Sequence, residues 1–438
     1  MNRAGGDWDR WLAHRLGSIR DQGRWRAHRE FDAWGPRGSL RMTAPDGSVV
    51  DRAVLSFASN DYLGLSIHPA VIAGAHAAID RWGTGAGASR LVTGDRPVHE
   101  DLERELARWK QTERAVLFPT GFAANLGVLT TLGTAGVAIV SDELNHASLI
   151  DGSRLAKAEV HIAPHGDHAA LEDLVAAVAD RPTMVVIDSV FSMDGDVADL
   201  DAVADTCRRH GALLIIDEAH AVLGPEPAPD CFDGVEVVRV GTLSKTLGAL
   251  GGFAACSDRV ADLLVNAARS AIFTTGLSPA DAGAALAAVR VVRGPEGDQL
   301  RATLRRHIDR LRPGHPSPIV PLIIGGEDDA VERGRPILEP MAGKIIHCAS
   351  DTSFAERNRE RVVETNINGM SNLLDFAIDS EVAHLYYVST AYACGLCEGM
   401  CMEAPISNDR FTNVYEESKA HAEGILRSRC HADGVPYA

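Results

Sequence analysis

The 438-residue chain is long enough for two or three domains, and its 45% hydrophobic and 24% charged residues are ordinary for a globular protein. A formal net charge of −17 argues against nucleic acid or an anionic membrane as the main partner, because both are polyanions. The longest apolar runs are strand-length, far short of the roughly 20 residues that span a bilayer, and the N-terminal sequence lacks an apolar signal segment. We therefore expect a cytoplasmic protein.

The N-terminal sequence predicts a polar amphipathic helix, with Trp8, Trp11, Leu12 and Leu16 on related turns. We assign residues 1–50 to an N-terminal helical arm.

Residues 51–295 alternate between short apolar runs and helical stretches. The apolar runs are RAVLFPT, VAIVSDE, EVHIAP, TMVVIDS, ALLIIDEAH and VEVVRVGTLS. Continuous runs of Val, Ile and Leu are typical of strands that are buried on both faces of a parallel sheet covered by helices. The pattern predicts an α/β large domain with a mostly parallel sheet.

Two more helices are predicted before the sequence RLRPG, and SPIVPLIIGG predicts the first strand of a smaller layer. We assign residues 296–340 to the remnant of a small C-terminal domain and to a junction. Residues 341–438 then follow the order strand, helix, strand again, which predicts a partial Rossmann-like α/β segment.

Four features of the large domain point to one kind of chemistry. Lys245 lies among small residues just after a predicted strand, and Asp217 ends a buried strand with His220 three residues later. An acid at such a position is costly to bury without a partner. Gly121 begins a helix directly after a strand, where free N–H groups can hold a phosphate, and His146 lies in a similar loop.

These side chains are the parts that a pyridoxal phosphate enzyme needs. A lysine binds the cofactor aldehyde, a carboxylate pairs with the pyridine nitrogen, a helix N-terminus holds the phosphate and a flat side chain covers the ring. Each part alone is weak evidence, because Lys245 could be a solvated surface lysine. Their order along one alternating α/β chain favours the enzyme.

The dense motifs of this region resemble the α-oxoamine synthases, which are fold-type-I pyridoxal phosphate transferases. The resemblance extends over about residues 8–326. It rests on FASNDYLGLSIHP, GTGAGASRLVTGDRPVHEDLE, FPTGFAAN, NHASLIDG, VFSMDGD, IIDEAHAVLG, GTLSKTLGALGG and FTTGLSP. The family joins an amino acid to an acyl thioester, on coenzyme A or an acyl carrier protein, with loss of carbon dioxide. GASRLVTG favours its biotin-pathway branch, which implies L-alanine and a pimeloyl-type thioester.

The resemblance also implies roles for individual residues. Lys245 would bind the cofactor and move the substrate α-proton, Asp217 would pair with the pyridine nitrogen, and His220 would bond the ring hydroxyl. His146 would stack on the ring and help to place the substrate. The other expected cofactor contacts are Gly121, Phe122, Ser192, Thr242 and, across a homodimer interface, Thr274 and Thr275.

Asn60 and Arg26 would meet the substrate, although Asn60 and Ser192 could instead be turn-formers and Arg26 a surface residue. The sequence departs from the family at Asp188, where a glutamate is usual, so a nearby contact is expected to change. His99 and the remaining histidines are expected at the surface.

After the junction, IIHCASDTSF, NINGMSNLLDFA, YYVSTAYACG and NVYEESKAHAEGIL resemble the extended short-chain dehydrogenases, in particular the thioester reductase or male sterility group. The resemblance places that family's catalytic set on Ser389 or Thr390, Tyr415 and Lys419. This half lacks the Gly-rich turn that holds a dinucleotide, so we expect these residues to be relics and NAD(P) not to bind.

The first half is incomplete as well, because nothing after Gly326 matches the synthase arginine that binds the substrate carboxylate. Three hypotheses therefore stand: a pyridoxal phosphate acyltransferase, which we favour, an NAD(P)-dependent thioester reductase, and a catalytically impaired hybrid or scaffold.

The cysteines are expected to be free thiols. Cys394, Cys397 and Cys401 have a ligand-like spacing, and Cys430 or His431 would have to complete a metal site. We favour no metal, because the usual paired arrangement is missing.

Overall fold

The computed structural model of the chain falls into two units that we describe separately. One unit comprises Ser59–Asp309 and Pro313–Pro321, and the other comprises Met1–Ala58, Arg310–Arg312 and Leu322–Ala438. The structure describes residues 6–22, 24–43, 48–223, 226–228, 230–321, 344–347, 384–387, 411 and 414–433, together with the single positions 359, 363, 366, 367, 370, 371 and 374.

The N-terminal residues form a helix and a small sheet. Helix α1 (Gly6–Asp21) confirms the predicted amphipathic helix, and its two tryptophans pack edge to face. Strands β1 (Phe31–Trp34), β2 (Arg37–Thr43) and β3 (Val49–Leu55) then form an antiparallel meander that the sequence analysis did not predict. These strands are short and largely exposed, so they lack the apolar runs on which strand prediction depends.

The unit that begins at Ser59 is built on a seven-stranded sheet with the order β4-β10-β9-β8-β7-β5-β6. Its strands are β4 (Arg114–Phe118), β5 (Ala138–Asp142), β6 (Glu159–Ala163), β7 (Thr183–Asp188), β8 (Leu213–Asp217), β9 (Val237–Thr242) and β10 (Gly252–Cys256). Neighbours from β9 to β6 pair in parallel, and β10 lies antiparallel between β4 and β9. The mostly parallel sheet is confirmed, whereas β10 was missed because GFAAC is short and rich in small residues.

Helices cover both faces of this sheet. They are α2 (Pro69–Trp82), α3 (Pro97–Lys110), α4 (Gly121–Leu132), α5 (Ala147–Leu155), α6 (His168–Ala177), α7 (Leu200–His210), α8 (Asp258–Ala267), α9 (Arg269–Ile272), α10 (Pro279–Arg293) and α11 (Pro295–Leu311). Alternate residues of one strand enter different cores: Val116 and Phe118 of β4 join one cluster, and Ala115 and Leu117 join another. Burial on both faces explains the continuous apolar runs.

Two histidines, His99 and His315, are buried and so depart from their expected position at the surface. His99 is 0% exposed, in the first turn of α3. Its Nε2 lies 2.8 Å from the Leu277 carbonyl, and its Nδ1 accepts the Arg96 N–H at 3.0 Å. Because both ring nitrogens have partners, the ring can be buried at little cost.

In the other unit, the parallel pair β11 (Lys344–His347) and β12 (His384–Tyr387) confirms two predicted strands, and helix α12 (Val414–Asp433) follows. Ala422, Leu426 and Cys430 on α12 form a small apolar cluster with Met370 and Leu374. Residues 322–326 of the predicted strand SPIVPLIIGG lie outside the described residues, and those from Ser317 to Pro321 form no strand. Within the described residues, no helix is long and apolar enough to span a membrane.

Candidate active site

The predicted site residues follow several strands at one edge of the sheet. Gly121 follows β4, His146 follows β5, Asp217 ends β8 and Thr242 ends β9. Asp188, where the sequence departs from the family, ends β7 between them. Asp188 and Asp217 are partners in the parallel register. Ligand sites of open α/β sheets occur at the carboxyl ends of the strands, so this edge is the candidate active site.

Asp217 is held by neutral donors. It is 5% exposed, and its carboxylate accepts the Asn125 Nδ2 amide at 2.6 Å and the Ala219 N–H at 2.9 Å. Its backbone carbonyl accepts the Ser189 hydroxyl at 2.9 Å. These bonds fix the carboxylate in one orientation, and no salt bridge to it occurs among the described residues.

Lys245 begins a chain of hydrogen bonds that crosses the site. Its Nζ lies 2.7 Å from His220 Nε2, and His220 Nδ1 lies 2.6 Å from the Tyr62 hydroxyl. The Tyr62 hydroxyl also lies 3.1 Å from Asn60 Oδ1. The structure therefore brings together three predicted residues, Asn60, His220 and Lys245, through Tyr62, which the sequence analysis did not single out.

Burial changes the proton affinities along this chain. Burial, with the nearby Lys245 and His146, lowers the pKa of His220 to about 3, so the ring is neutral. Burial also lowers the pKa of Lys245, and the negative charges of Asp217 and Asp188 oppose this effect. Burial raises the pKa of Tyr62 to about 12. A neutral imidazole beside a lysine of lowered pKa is suited to an amine that must lose its proton.

The start of α4 has the features that favour an anion. The Thr120 hydroxyl accepts the Ala123 N–H at 3.0 Å, and the first turn contains no acidic residue. The first amides of a helix have no partners within it, and the helix dipole favours an anion there. A Cβ atom on Gly121 would lie 3.0 Å from the Thr242 Cβ, so glycine permits this close approach. The Thr242 hydroxyl also lies 2.7 Å from the Ser244 hydroxyl.

His146 is an exposed N-cap whose backbone is tied to the sheet. Its Nδ1 accepts the Ser148 N–H at 3.2 Å and lies 2.7 Å from the Ser148 hydroxyl. Ser148 accepts the Asn125 amide at 2.8 Å, and Asn125 also donates to Asp217. Ser148 and Asn125 thus connect the two predicted catalytic residues on either side of them.

Asp188 supports the same turn. Its Oδ2 accepts the His146 backbone N–H at 2.6 Å, and its own N–H donates to Asn145 Oδ1 at 2.9 Å. Burial and the charge of Asp217 raise the pKa of Asp188 well above its usual range. The aspartate therefore makes a backbone contact to the loop of His146.

Other predicted contacts lie at the rim. Phe122 is exposed on the first turn of α4, and Ser192 is exposed in the turn after β7. Thr274 and Thr275 lie in the loop between α9 and α10, and no hydrogen bond among the described residues joins them to Lys245. Arg26 is exposed and belongs to the other unit, so its expected substrate contact stays a prediction.

The reductase-like residues lie on α12. Tyr415 and Lys419 are 7% and 3% exposed, one turn apart, and Ser418 between them accepts the Asn366 amide at 2.8 Å. Ser389 and Thr390 lie outside the described residues, as do Cys394, Cys397 and Cys401. Cys430 is buried and in no disulfide, as expected, and His431 is exposed. The described positions contain no cluster of three or more His, Cys, Asp or Glu side chains that could hold a metal ion.

Sequence reasoning missed the residues that support the site. Asn125 carried a usable signal, because it is the only carboxamide in the apolar helix GFAANLGVLTTL. Tyr62 lies 158 positions from His220 in sequence, and neither its spacing nor its neighbours indicate that contact.

In comparisons with known proteins, two separate parts of the chain match two families. Residues 52–315 match the family described as aminotransferase class I and II, and residues 340–438 match the family described as male sterility protein. The 8-amino-7-oxononanoate synthase of Trichlorobacter lovleyi is 42% identical over 318 residues, which are 69% of this chain and 81% of the relative. The enzyme of the same name from Cupriavidus necator is 45% identical over 280 residues, 61% of this chain and 69% of the relative.

Solved structures show the same relationship. Serine palmitoyltransferase of Sphingomonas wittichii has a TM-score of 0.62 and 28% identity, covering 71% of this chain and 77% of that chain. A variant serine palmitoyltransferase from S. paucimobilis, with a bound PLP–myriocin aldimine, has a TM-score of 0.61 and 26% identity, covering 71% of this chain and 78% of that chain. From the family match, the identity to these synthases and the shared fold, the chain belongs to the aminotransferase class I and II family of pyridoxal phosphate enzymes, in its α-oxoamine synthase group.

Proposed function

We propose that this protein is a pyridoxal phosphate-dependent acyltransferase of the 8-amino-7-oxononanoate synthase type, acting in biotin biosynthesis. It condenses an amino acid, L-alanine in our proposal, with a pimeloyl-type thioester of coenzyme A or an acyl carrier protein, and carbon dioxide is lost. The observation that carries the proposal is the contact of Lys245 with a neutral His220, in a chain 42% identical to a synthase of that name.

The donor set fits the cofactor. A phosphate needs N–H and hydroxyl donors, which the first turn of α4 and Thr242 offer. A protonated pyridine nitrogen needs a buried carboxylate, and Asp217 accepts only from neutral Asn125 and Ala219 among the described residues. A positively charged ring atom would supply the counter-charge for Asp217.

When bound, pyridoxal phosphate supplies an electron-accepting ring. Residues of the chain move the proton and hold the reacting groups in position. The Lys245 amine takes the α-proton of the amino acid, and burial favours its neutral form. His220 keeps that amine in place through its Nε2 atom. Asn125 and Ser148 fix Asp217 and His146 relative to each other, so that His146 is placed to cover the ring.

Substrate contacts from Asn60 and Arg26 are part of the proposal, as are cofactor contacts from Gly121, Phe122 and Ser192. Thr274 and Thr275 are assigned to the neighbouring subunit's phosphate, so the working protein is a homodimer. Exposed apolar side chains support this assignment: Val92 is 74% exposed and Phe273 71% exposed, on segments joined by the Gly276 N–H to Ala88 carbonyl bond of 2.9 Å. Light scattering should give twice the chain mass, and a monomer that binds cofactor tightly would contradict it.

The reaction is tested by measuring carbon dioxide release from carboxyl-labelled amino acids by the protein loaded with pyridoxal phosphate. L-alanine with pimeloyl coenzyme A should release labelled carbon dioxide only when both are present. L-serine with palmitoyl coenzyme A is the matched comparison, because serine palmitoyltransferases are structural neighbours. Faster release from the serine pair would move the assignment to another branch, and no release from either pair would refute acyl transfer.

A further inference from the structure

His165 is a histidine outside the predicted site with a carboxylate at each ring nitrogen. It lies between β6 and α6. Its Nδ1 is 3.0 Å from Asp142 Oδ1, and its Nε2 is 2.7 Å from Asp196 Oδ2. The ring packs edge-on against Phe191, with centroids 4.4 Å apart. Both nitrogens donate at once only in the imidazolium form, so this geometry fits a charged ring.

The two carboxylates belong to the two turns that carry predicted active-site residues. Asp142 ends β5 and accepts the Leu144 N–H at 2.8 Å, in the turn that leads to His146. Asp196 lies in the turn of Ser192. That turn is closed by the Phe191 N–H to Asp196 carbonyl bond of 3.0 Å.

The Ser192 turn is also fixed from its other side. The buried Ser317 hydroxyl donates to the Gly195 carbonyl at 2.5 Å. Gly195 has a φ of 70°, and a Cβ atom there would lie 2.1 Å from the Ile319 carbonyl oxygen. These contacts hold the Ser192 turn against Ser317 and Ile319. The His165 ring connects this turn to the turn of His146.

We propose that His165, as an imidazolium between Asp142 and Asp196, is a positioning residue that sets the Ser192 turn against the His146 turn. The inference rests on the proposed function, because it assigns both turns to the cofactor and substrate site. His165 touches neither reacting atoms nor cofactor, and acts through the two turns.

The surroundings of His165 are mainly acidic. Besides Asp142 and Asp196, the Glu143 carboxylate accepts the His165 backbone N–H at 3.0 Å. Asp167, His168 and Asp199 line the small adjoining cavity of about 60 Å³. Asp167 and Asp199 cap α6 and α7.

These neighbours determine the pH range of the bridge. Burial lowers the pKa of His165, but the hydrogen bonds to Asp142 and Asp196 outweigh it, so the pKa is raised above its ordinary value near 6.5. The bridge is therefore complete below about pH 6.5 and is lost as the pH rises through the raised pKa.

The test compares the wild-type holoenzyme with His165→Gln, and uses His168→Gln as a matched control in the same cavity. We expect kcat/KM for the amino acid to fall in the wild type as the pH rises through the His165 titration. His165→Gln should lack that limb and be roughly tenfold to hundredfold slower near neutral pH, whereas His168→Gln should match the wild type. A wild-type pH profile and rate in His165→Gln would overturn the proposal.

A second measurement does not depend on turnover or on the folding of His165→Gln. Nuclear magnetic resonance of the wild type should show the His165 ring titrating above pH 6.5, with the Ser192 and His146 amide signals shifting at the same midpoint. In Asp196→Asn the midpoint should fall. A midpoint at or below the ordinary value, or amide signals that do not follow it, would refute the bridge. If wild-type protein instead fails to release carbon dioxide while these signals titrate together, the proposed function fails and the bridge stands.

Discussion

The synthase-like part and the reductase-like part of the chain differ in how their candidate catalytic groups are assembled. In the first, Lys245, His220 and Tyr62 come from separate segments and meet through hydrogen bonds of 2.6 and 2.7 Å. In the second, Tyr415 and Lys419 lie one turn apart on a single helix. Two side chains on one helix stay close together whatever surrounds that helix. Side chains from distant segments come together only when the whole sheet is folded. The preserved assembly favours the synthase-like part as the active one.

Removing the reactive amine should have the largest effect. Lys245→Ala should lower carbon dioxide release by about 10²–10⁴-fold, because it removes the group that moves the α-proton. Lys157→Ala changes an exposed lysine of the same unit and should leave the rate unchanged. Equal rates in the two variants would mean that the chemistry lies elsewhere in the chain.

Asp217→Asn should weaken cofactor binding by about tenfold or more. The carboxylate accepts from Asn125 and Ala219, and an amide has only one acceptor oxygen for these two donors. Leaving a buried donor unpaired costs about 1–3 kcal/mol, and the counter-charge for the pyridine nitrogen is also lost. Absorbance titration with pyridoxal phosphate measures the change, and unchanged affinity would remove Asp217 from the cofactor site.

Amino-acid binding should be weaker than in an intact synthase. The family match ends at residue 315, and the arginine that the resemblance assigns to the substrate carboxylate has no match after Gly326. A lost charge-assisted contact is worth about 1.5–3 kcal/mol, or roughly tenfold or more in affinity. Titration of L-alanine against this protein and the Cupriavidus necator synthase gives the comparison. Equal affinities would mean that another arginine has taken that role.

The buried carboxylates of Asp188 and Asp217 predict a change in thermal stability that is smaller than the effects on activity and binding above. Because the pKa of Asp188 is raised, the folded protein binds more protons than the unfolded chain above about pH 4, and stability falls as the pH rises towards that pKa. Asp188→Asn removes this loss, so the cofactor-free variant should melt about 2–4 °C above wild type at pH 8, with less difference at pH 5. Asp173→Asn, on an exposed face of α6, is the control. A gain that is largest at pH 5 would contradict the assigned direction.

No effect is expected from changes in the reductase-like part. Tyr415→Phe and Lys419→Ala should leave carbon dioxide release unchanged, and calorimetric titration of the whole protein with NADPH or NADH should show no micromolar binding. A dinucleotide needs backbone N–H groups at a Gly-rich turn, and the sequence from 340 to 438 provides no such turn. Micromolar binding that either substitution abolishes would restore the reductase hypothesis.

Much of the sheet could be predicted, because strands buried on both faces are written as continuous apolar runs. β10 and the exposed strands β1 to β3 lack such runs and were missed. In the site, Lys245, Asp217 and His220 follow strands in recognisable motifs. Tyr62, Asn125 and Ser148 act through contacts between distant segments, which a single sequence does not encode in spacing.

We propose Lys245 as the lysine that binds pyridoxal phosphate. The most direct test is borohydride reduction of the protein loaded with cofactor, followed by peptide mapping, with Lys157→Ala and Lys245→Ala treated in parallel. We predict a reduced cofactor adduct on Lys245 in wild type and in Lys157→Ala, and none in Lys245→Ala. An adduct on another lysine, or none in the wild type, would rule out Lys245 as the cofactor-binding residue.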